Sequence, residues 1–328
     1  MQENEYGVIV IGGGHAGIEA SLAAARLGVP TLLLTLNMDA IGLMPCNPAI
    51  GGPAKGLVVR EIDALGGQMA LAADATQIQI RMLNVGKGPA VQALRAQIDK
   101  RHYQRTMMSV VQNEPYLDVK QGEACSLLIE NGQIKGVYNQ IDTLYRAQAV
   151  VITTGTYLNG RIIIGDHIFS SGPSGLPNSV PLGHYLREIG LPMARFKTGT
   201  PARVDKRSLD FSKMQEQPGD IGELAFSFLT TEYKRPKISC YLTYTNEKTH
   251  QLIRDNIHLA PMYSGIIEGV GARYCPSIED KVMRFRDRDK HQIFIEPEGL
   301  GTTEYYVQGL STGFPEELQM QILKTVPG

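Results

Sequence analysis

The feature that most constrains the fold is a glycine turn, Gly12-Gly13-Gly14-His15-Ala16-Gly17, set between an apolar run and an alanine-rich one. Residues 6–11 have strand composition. Residues 18–27 read as a helix closed by Gly28, and residues 31–35 as a second buried strand. Strand, glycine turn, helix and strand in this order open a dinucleotide-binding βαβ unit. In G-x-G-x-x-G the first glycine permits the turn, the second admits a pyrophosphate to the backbone, and the third lets helix pack on strand. The helix then offers unpaired N–H groups to the anion. Gly12, Gly13, Gly14, His15, Ala16 and Gly17 are therefore candidate cofactor-binding residues. The acidic residue expected about 20 positions on to hold ribose is missing. Thr35, Asn37 and Asp39 are its candidate substitutes.

A chain of 328 residues has length for about two domains, and 43% apolar with 20% charged residues is ordinary globular composition. A net charge of −1 excludes a polyelectrolyte tail, but a local basic patch is enough for nucleic acid. Cys46, Cys125, Cys240 and Cys275 are far apart, with neither CxxC nor metal-type His spacing, so no metal site is expected. The acidic start is no signal peptide, and no run approaches the ~18 apolar residues of a membrane span. These features suggest a reduced, cytoplasmic protein with no membrane partner.

Helices are expected over residues 55–65, 89–111, 247–257 and 316–324. Strands are expected over 117–121, 125–130, 134–139, 149–153, 224–229 and 238–243, with residues 170–182 as loop. Asn131-Gly132 predicts a type I′ hairpin. The strand–hairpin–strand stretch over 117–141, followed by Thr153-Thr154-Gly155, favours FAD over NAD at the first site, as in two-dinucleotide flavoproteins. The fold expected is α/β, with a Rossmann-like FAD-binding domain over 1–200 and an inserted α+β domain over 201–300. Residues 301–328 would begin a return to the first domain.

Cys46 stands where disulfide-reducing flavoenzymes carry a cysteine pair, yet it is single, so it is either a nucleophile or a packed small hydrophobe. Cys275 precedes Ser277-x-x-Asp280, a capping pattern, with Arg273 nearby; both features stabilise a thiolate and make Cys275 a candidate nucleophile. Cys125 and Cys240 lie in strand-like runs and are expected in the core. Residues 195–207 and 281–290 concentrate basic side chains that could contact phosphates, or simply be solvated faces.

Residues 12–56, Lys87-Gly88-Pro89-Ala90-Val91, Thr198-Gly199-Thr200-Pro201, Thr245–His250 and above all Arg273-Tyr274-Cys275-Pro276-Ser277-Ile278-Glu279 carry a resemblance. The sequence resembles the MnmG (GidA) family of tRNA uridine 5-carboxymethylaminomethyl modification enzymes; Ala272 stands where proline is expected. The resemblance implies FAD at Gly12–Gly17 with contacts at Ala124 and Ser179, and a nicotinamide site taking in Gly271, Arg273, Ser277 and Lys281. It implies chemistry at carbon 5 of the wobble uridine of tRNA, with NADH, methylenetetrahydrofolate, the GTPase MnmE as partner, and a homodimer. Cys46 and Cys275 match its two candidate catalytic cysteines. It also implies longer family members, with a last flavin-contacting segment and a helical C-terminal domain beyond residue 328, so that this chain corresponds to an N-terminal part. A non-catalytic FAD-binding module and a small-molecule flavin dehydrogenase are the alternatives.

Overall fold

The computed structural model describes residues 5–233, 235–267, 270–271 and 276–328. Strand β1 (Glu5–Ile11) leads into α1 (His15–Arg26), which returns to β2 (Thr31–Thr35). The two strands pair in parallel, Val8 opposite Thr31 and Ile11 opposite Leu34. Strand alternation sends Val8, Val10 and Leu33 to a core with Ile18, Leu22 and Ala25 of α1, and Ile9, Ile11, Leu32 and Leu34 to a core on the other face. Both faces are covered, so these strands read as continuous apolar runs.

The chain then builds β3 (Ala49–Gly51), α2 (Lys55–Ala64), α3 (Met69–Thr76), β4 (Gln77–Leu83) and β5 (Ala93–Ile98). Its strands form a separate antiparallel sheet in the order β3-β5-β4. The helix expected over 89–111 is thus corrected: Pro89–Val91 forms only a 3-10 turn, and the α-helix is α4 (Lys100–Asn113). Residues 93–98 contain good helix formers, yet they are paired on both sides and bury Leu94, Ala96 and Ile98, and this packing outweighs propensity. Asp99 marks the true helix start, its carboxylate accepting from His102 N at 2.9 Å.

From α4 the chain enters β6 (Leu117–Gln121), β7 (Ala124–Glu130), β8 (Gln133–Asn139) and β9 (Leu144–Ile152). The main sheet has the order β6-β2-β1-β9-β8-β7, with β6, β2, β1 and β9 parallel and an antiparallel meander at the other end. Asn131 (φ 51°) and Gly132 (φ 75°) both take left-handed conformations, as the type I′ turn requires. A hairpin of β10 (Arg161–Ile164) and β11 (His167–Ser170) precedes α5 (Pro181–Glu188). Leu182 and Leu186 of α5 complete the core over β7 and β8.

A short β12 (Phe196–Lys197) comes next, then β13 (Arg203–Asp205), β14 (Gln215–Gln217), β15 (Cys240–Tyr244), α6 (Glu247–Asp255), β16 (Val270–Gly271), α7 (Ile278–Arg284), β17 (Gln292–Pro297), β18 (Glu304–Gln308) and α8 (Glu316–Thr325). Five of the strands form an antiparallel sheet in the order β13-β18-β17-β15-β14. Ile253, Ile278, Val282, Ile293, Ile295, Phe314 and Ile322 join its strands and helices in one core. Residues 304–325, expected to begin a return to the first domain, supply a strand and a helix to this second unit. The strand expected over 224–229 is absent. Phe226 N and Ser227 N donate to the Asp74 carboxylate at 2.8 Å each, so a side chain takes the place of a ladder partner.

Candidate functional site

A cleft of about 940 Å³, its open mouth included, lies where the carboxyl ends of β1, β2 and β9 meet. Ligands of open α/β sheets bind at such ends. Residues 12–15, 35–37, 153–157, Ala124 and Ser179 line it. The structure therefore brings Gly12, Gly13, Gly14 and His15 together with Ala124 and Ser179, which sequence spacing alone could not connect. Ala16 and Gly17 sit in the first turn of α1. Of the candidate ribose residues, Thr35 and Asn37 line the cleft, and the Asn37 side chain accepts from Asp39 N at 2.8 Å.

The glycines divide by physical cause. Gly12 has φ +112°, and a Cβ there would come within 2.6 Å of Thr153 O. A Cβ on Gly17 would come within 1.8 Å of Gly12 O, so this glycine allows helix and strand to meet. Gly14 is different: its φ of −76° suits any residue, and a Cβ there would meet nothing within 4 Å. Folding does not require glycine at this position, and the space it leaves belongs to the cleft. The Thr153 hydroxyl donates to Ile11 O at 2.9 Å and ties the end of β9 to the turn.

The electrostatics suit an anion. Helix α1 has no acidic residue in its first turn and no side-chain cap, so its positive end is not neutralised locally. Burial, helped by the Lys55 ammonium, lowers the His15 imidazole to about 4, so it is neutral near pH 7. His15 Nε2 and the Tyr103 hydroxyl are buried with no hydrogen-bond partner among the described residues.

Cys46 follows Pro45, which lines the cleft. Its Sγ lies 3.4 Å from the Tyr306 hydroxyl and 3.9 Å from Gly199 O. The Arg203 guanidinium donates to Cys46 O at 2.6 Å and lies 4.8 Å from the Tyr306 ring centroid. Glu298 accepts from Arg203 at 2.9 Å and from Lys100 at 2.8 Å. Burial, then the neighbouring Cys46, pushes the Tyr306 hydroxyl up, so it stays protonated and can donate to a thiolate. Tyr306 and Glu298 were missed in the sequence because no local pattern links them to Cys46; Arg203 stood out only as part of a basic stretch.

Cys240 is buried, and burial followed by the Glu296 carboxylate pushes its thiol up to about 12. It is expected to alkylate at pH 8 about a thousandfold more slowly than an unperturbed cysteine. Mass spectrometry after timed iodoacetamide treatment checks this, and rapid labelling of the folded chain would contradict it. Cys125 is half-buried in β7, and its thiol is raised by burial and then by Glu123.

Of the candidate nicotinamide residues, those described adjoin the start of α7, where Lys197 lies 3.8 Å from Asp280. Gly271 pairs with Lys197 across β12 and β16, and Ser277 accepts from Asp280 N at 3.3 Å to cap α7. Lys281 lines a second cavity. Arg273 and Cys275 lie outside the described residues. Among the described residues no group of His, Cys, Asp or Glu is placed to hold a metal, and no helix is long and apolar enough to cross a membrane.

Comparison with known proteins agrees with this geometry. The family model described as "Glucose inhibited division protein A" matches residues 7–328. A relative from Heliobacterium modesticaldum, named tRNA uridine 5-carboxymethylaminomethyl modification enzyme MnmG, is 60% identical over 99% of this chain and 51% of its own length. Its namesake from Bacillus subtilis is 56% identical over 100% of this chain and 52% of its own. The chain thus spans about half the length of the curated relatives it matches. The structure of Aquifex aeolicus GidA in the form I crystal superposes with a TM-score of 0.93 at 52% identity, covering 99% of this chain and 55% of that one. A fold shared to this degree, on a matching sequence that runs from the glycine turn through α8, places the chain in the glucose inhibited division protein A family.

Proposed function

We propose that this chain is the FAD-binding part of an enzyme that adds a (carboxymethyl)aminomethyl group to carbon 5 of the wobble uridine of tRNA. In this reading it uses NADH and methylenetetrahydrofolate, works with the GTPase MnmE, forms a homodimer and resides in the cytoplasm. Bound FAD supplies the electron and one-carbon transfer chemistry. The turn of Gly12, Gly13 and Gly14 holds the pyrophosphate, and the open end of α1 faces its charge. Ala124 and Ser179 border the remainder of the cofactor. The nicotinamide site is read at Gly271, Arg273, Ser277 and Lys281. Cys275 is the nucleophile proposed to add to carbon 6 of uridine, which makes carbon 5 electron-rich. Cys46, fixed by Arg203 and bonded to Tyr306, is the second candidate.

The observation that carries this reading is Gly14, which lines the cleft although neither its backbone conformation nor its packing requires glycine. Gly14→Ala is expected to leave the melting temperature unchanged and to weaken FAD binding at least tenfold, about 1.4 kcal/mol. Flavin fluorescence titration of both chains measures this. Equal affinities would remove the pyrophosphate from this turn and the proposed function with it.

A further inference from the structure

Tyr306 sits in β18, where strand alternation sends Tyr305 and Val307 into the core of the second unit and Tyr306 to the opposite face. On that face it is flanked across the sheet. Arg203 of β13 stands opposite it on one side, and Glu296 of β17 on the other. The row of Arg203, Tyr306 and Glu296 thus crosses three strands. The loop carrying Pro45 and Cys46 from the first unit lies against it. Arg203 Nη2 donates to Cys46 O at 2.6 Å and to Pro45 O at 3.3 Å, which fixes the main chain of that loop. The sulfur then meets the Tyr306 hydroxyl at 3.4 Å.

Tyr306 is buried, and among the described residues Cys46 is the hydrogen-bond partner of its hydroxyl. Either atom of this pair can donate, and the surrounding charges decide which does. Glu296 is neutralised by Arg95 of β5 at 2.8 Å. Glu298, just past β17, is shared between Arg203 at 2.9 Å and Lys100 of α4 at 2.8 Å. Two cations on one carboxylate leave a positive excess beside the sulfur. The other charged groups nearby are turned elsewhere: Asp99 to His102 N and Leu300 N, Asp205 to Arg207, and Lys197 to Asp280. Glu304, two positions back along β18, is exposed. The Arg203 guanidinium, 4.8 Å from the Tyr306 ring centroid, makes the hydroxyl a better donor. A phenol donating to a thiolate forms a charge-assisted bond, stronger than the neutral one.

We infer that Tyr306 is a positioning residue that acts through Cys46: its hydroxyl donates to Cys46 Sγ and, with Arg203, holds the sulfur as a thiolate where the two units meet. The S–H bond breaks with its electron pair left on sulfur, and the proton goes to water. The inference deepens the proposed function, in which Cys46 is the second candidate nucleophile. Its test reads the sulfur itself and not tRNA modification, so the two can fail separately. A thiol that ignores Tyr306 leaves the FAD and tRNA reading standing, and a chain that fails to bind FAD leaves the Cys46 result standing.

The test is timed iodoacetamide labelling of the full chain from about pH 5 to 9, with each cysteine followed by peptide mass spectrometry. In the parent, Cys46 is expected to label about tenfold faster at neutral pH than half-buried Cys125, whose thiol is raised by burial. Tyr306→Phe keeps the ring and removes the hydroxyl. The acid limb of its Cys46 pH–rate profile is expected to lie about one unit higher, so labelling on that limb is about tenfold slower. Its alkaline plateau is expected to be at least as fast as the parent's, because a more basic thiolate is the better nucleophile. A role confined to packing would change the plateau and leave the limb in place. Tyr306→fluorotyrosine strengthens the donor and is expected to move the limb the opposite way, which a loosened fold cannot imitate. Cys125 in the same digests is expected to keep its profile in all three chains. Coincident Cys46 limbs, or a parent Cys46 that labels no faster than Cys125, overturn the inference. If Tyr306→Phe does not fold, the direction of the fluorotyrosine shift decides alone.

Discussion

Gly17→Ala is expected to destabilise the fold by about 3 kcal/mol, the upper part of the usual overpacking range. The added methyl would lie 1.8 Å from Gly12 O and 2.7 Å from Thr153 Oγ1. The closest of these is backbone and cannot swing aside as the end of a flexible side chain would. Relief requires α1 to lift from β1, which would open the core of Val10, Ile18 and Leu22. Denaturant unfolding measures the loss, and flavin binding should fall in parallel because the turn is displaced. The contrast with Gly14→Ala is informative: one glycine is expected to fail through stability, the other through affinity at constant stability. A Gly17→Ala chain with the parent's unfolding midpoint would show that helix and strand do not meet as described.

Arg95→Met is expected to cost about 3 kcal/mol, the low end for removing one partner of a buried ion pair. The Glu296 side chain is only 1% exposed, against 24% for Arg95. Without the guanidinium, a carboxylate is left in the sheet interior with its main countercharge gone. Adding Glu296→Gln should recover most of the loss, because a neutral amide requires no cation. A double-mutant cycle by urea unfolding gives the coupling directly. Additive effects of the two changes would show that the pair is not coupled. Arg95 belongs to β5 and Glu296 to β17, so the same cycle reports whether the two sheets are joined by this contact.

What the sequence made legible was local. The β1–α1–β2 opening, the Asn131-Gly132 turn and the Ser277 cap of α7 each depend on residues within a few positions of one another. The helix wrongly expected over 89–111 fails for the opposite reason: its first half is held by β3 and β4, which lie earlier in the chain. The site divides in the same way. Gly12 to Gly17 could be read directly, whereas the contact of Cys46 with Tyr306 joins residues 260 positions apart. Only the long-range fold makes that contact visible. Ala124 and Ser179 came from family resemblance, and the structure shows them bordering the same cleft as the turn.

The cleft at the glycine turn draws its lining from stretches scattered between Ile11 and Ser179. Any molecule seated there acts as a basting stitch through cloth folded several times. Heat tolerance should therefore climb with the logarithm of free cofactor once it exceeds the dissociation constant. During folding the pocket can mature only after its widely separated threads have been gathered, which makes it a late product of the chain's assembly.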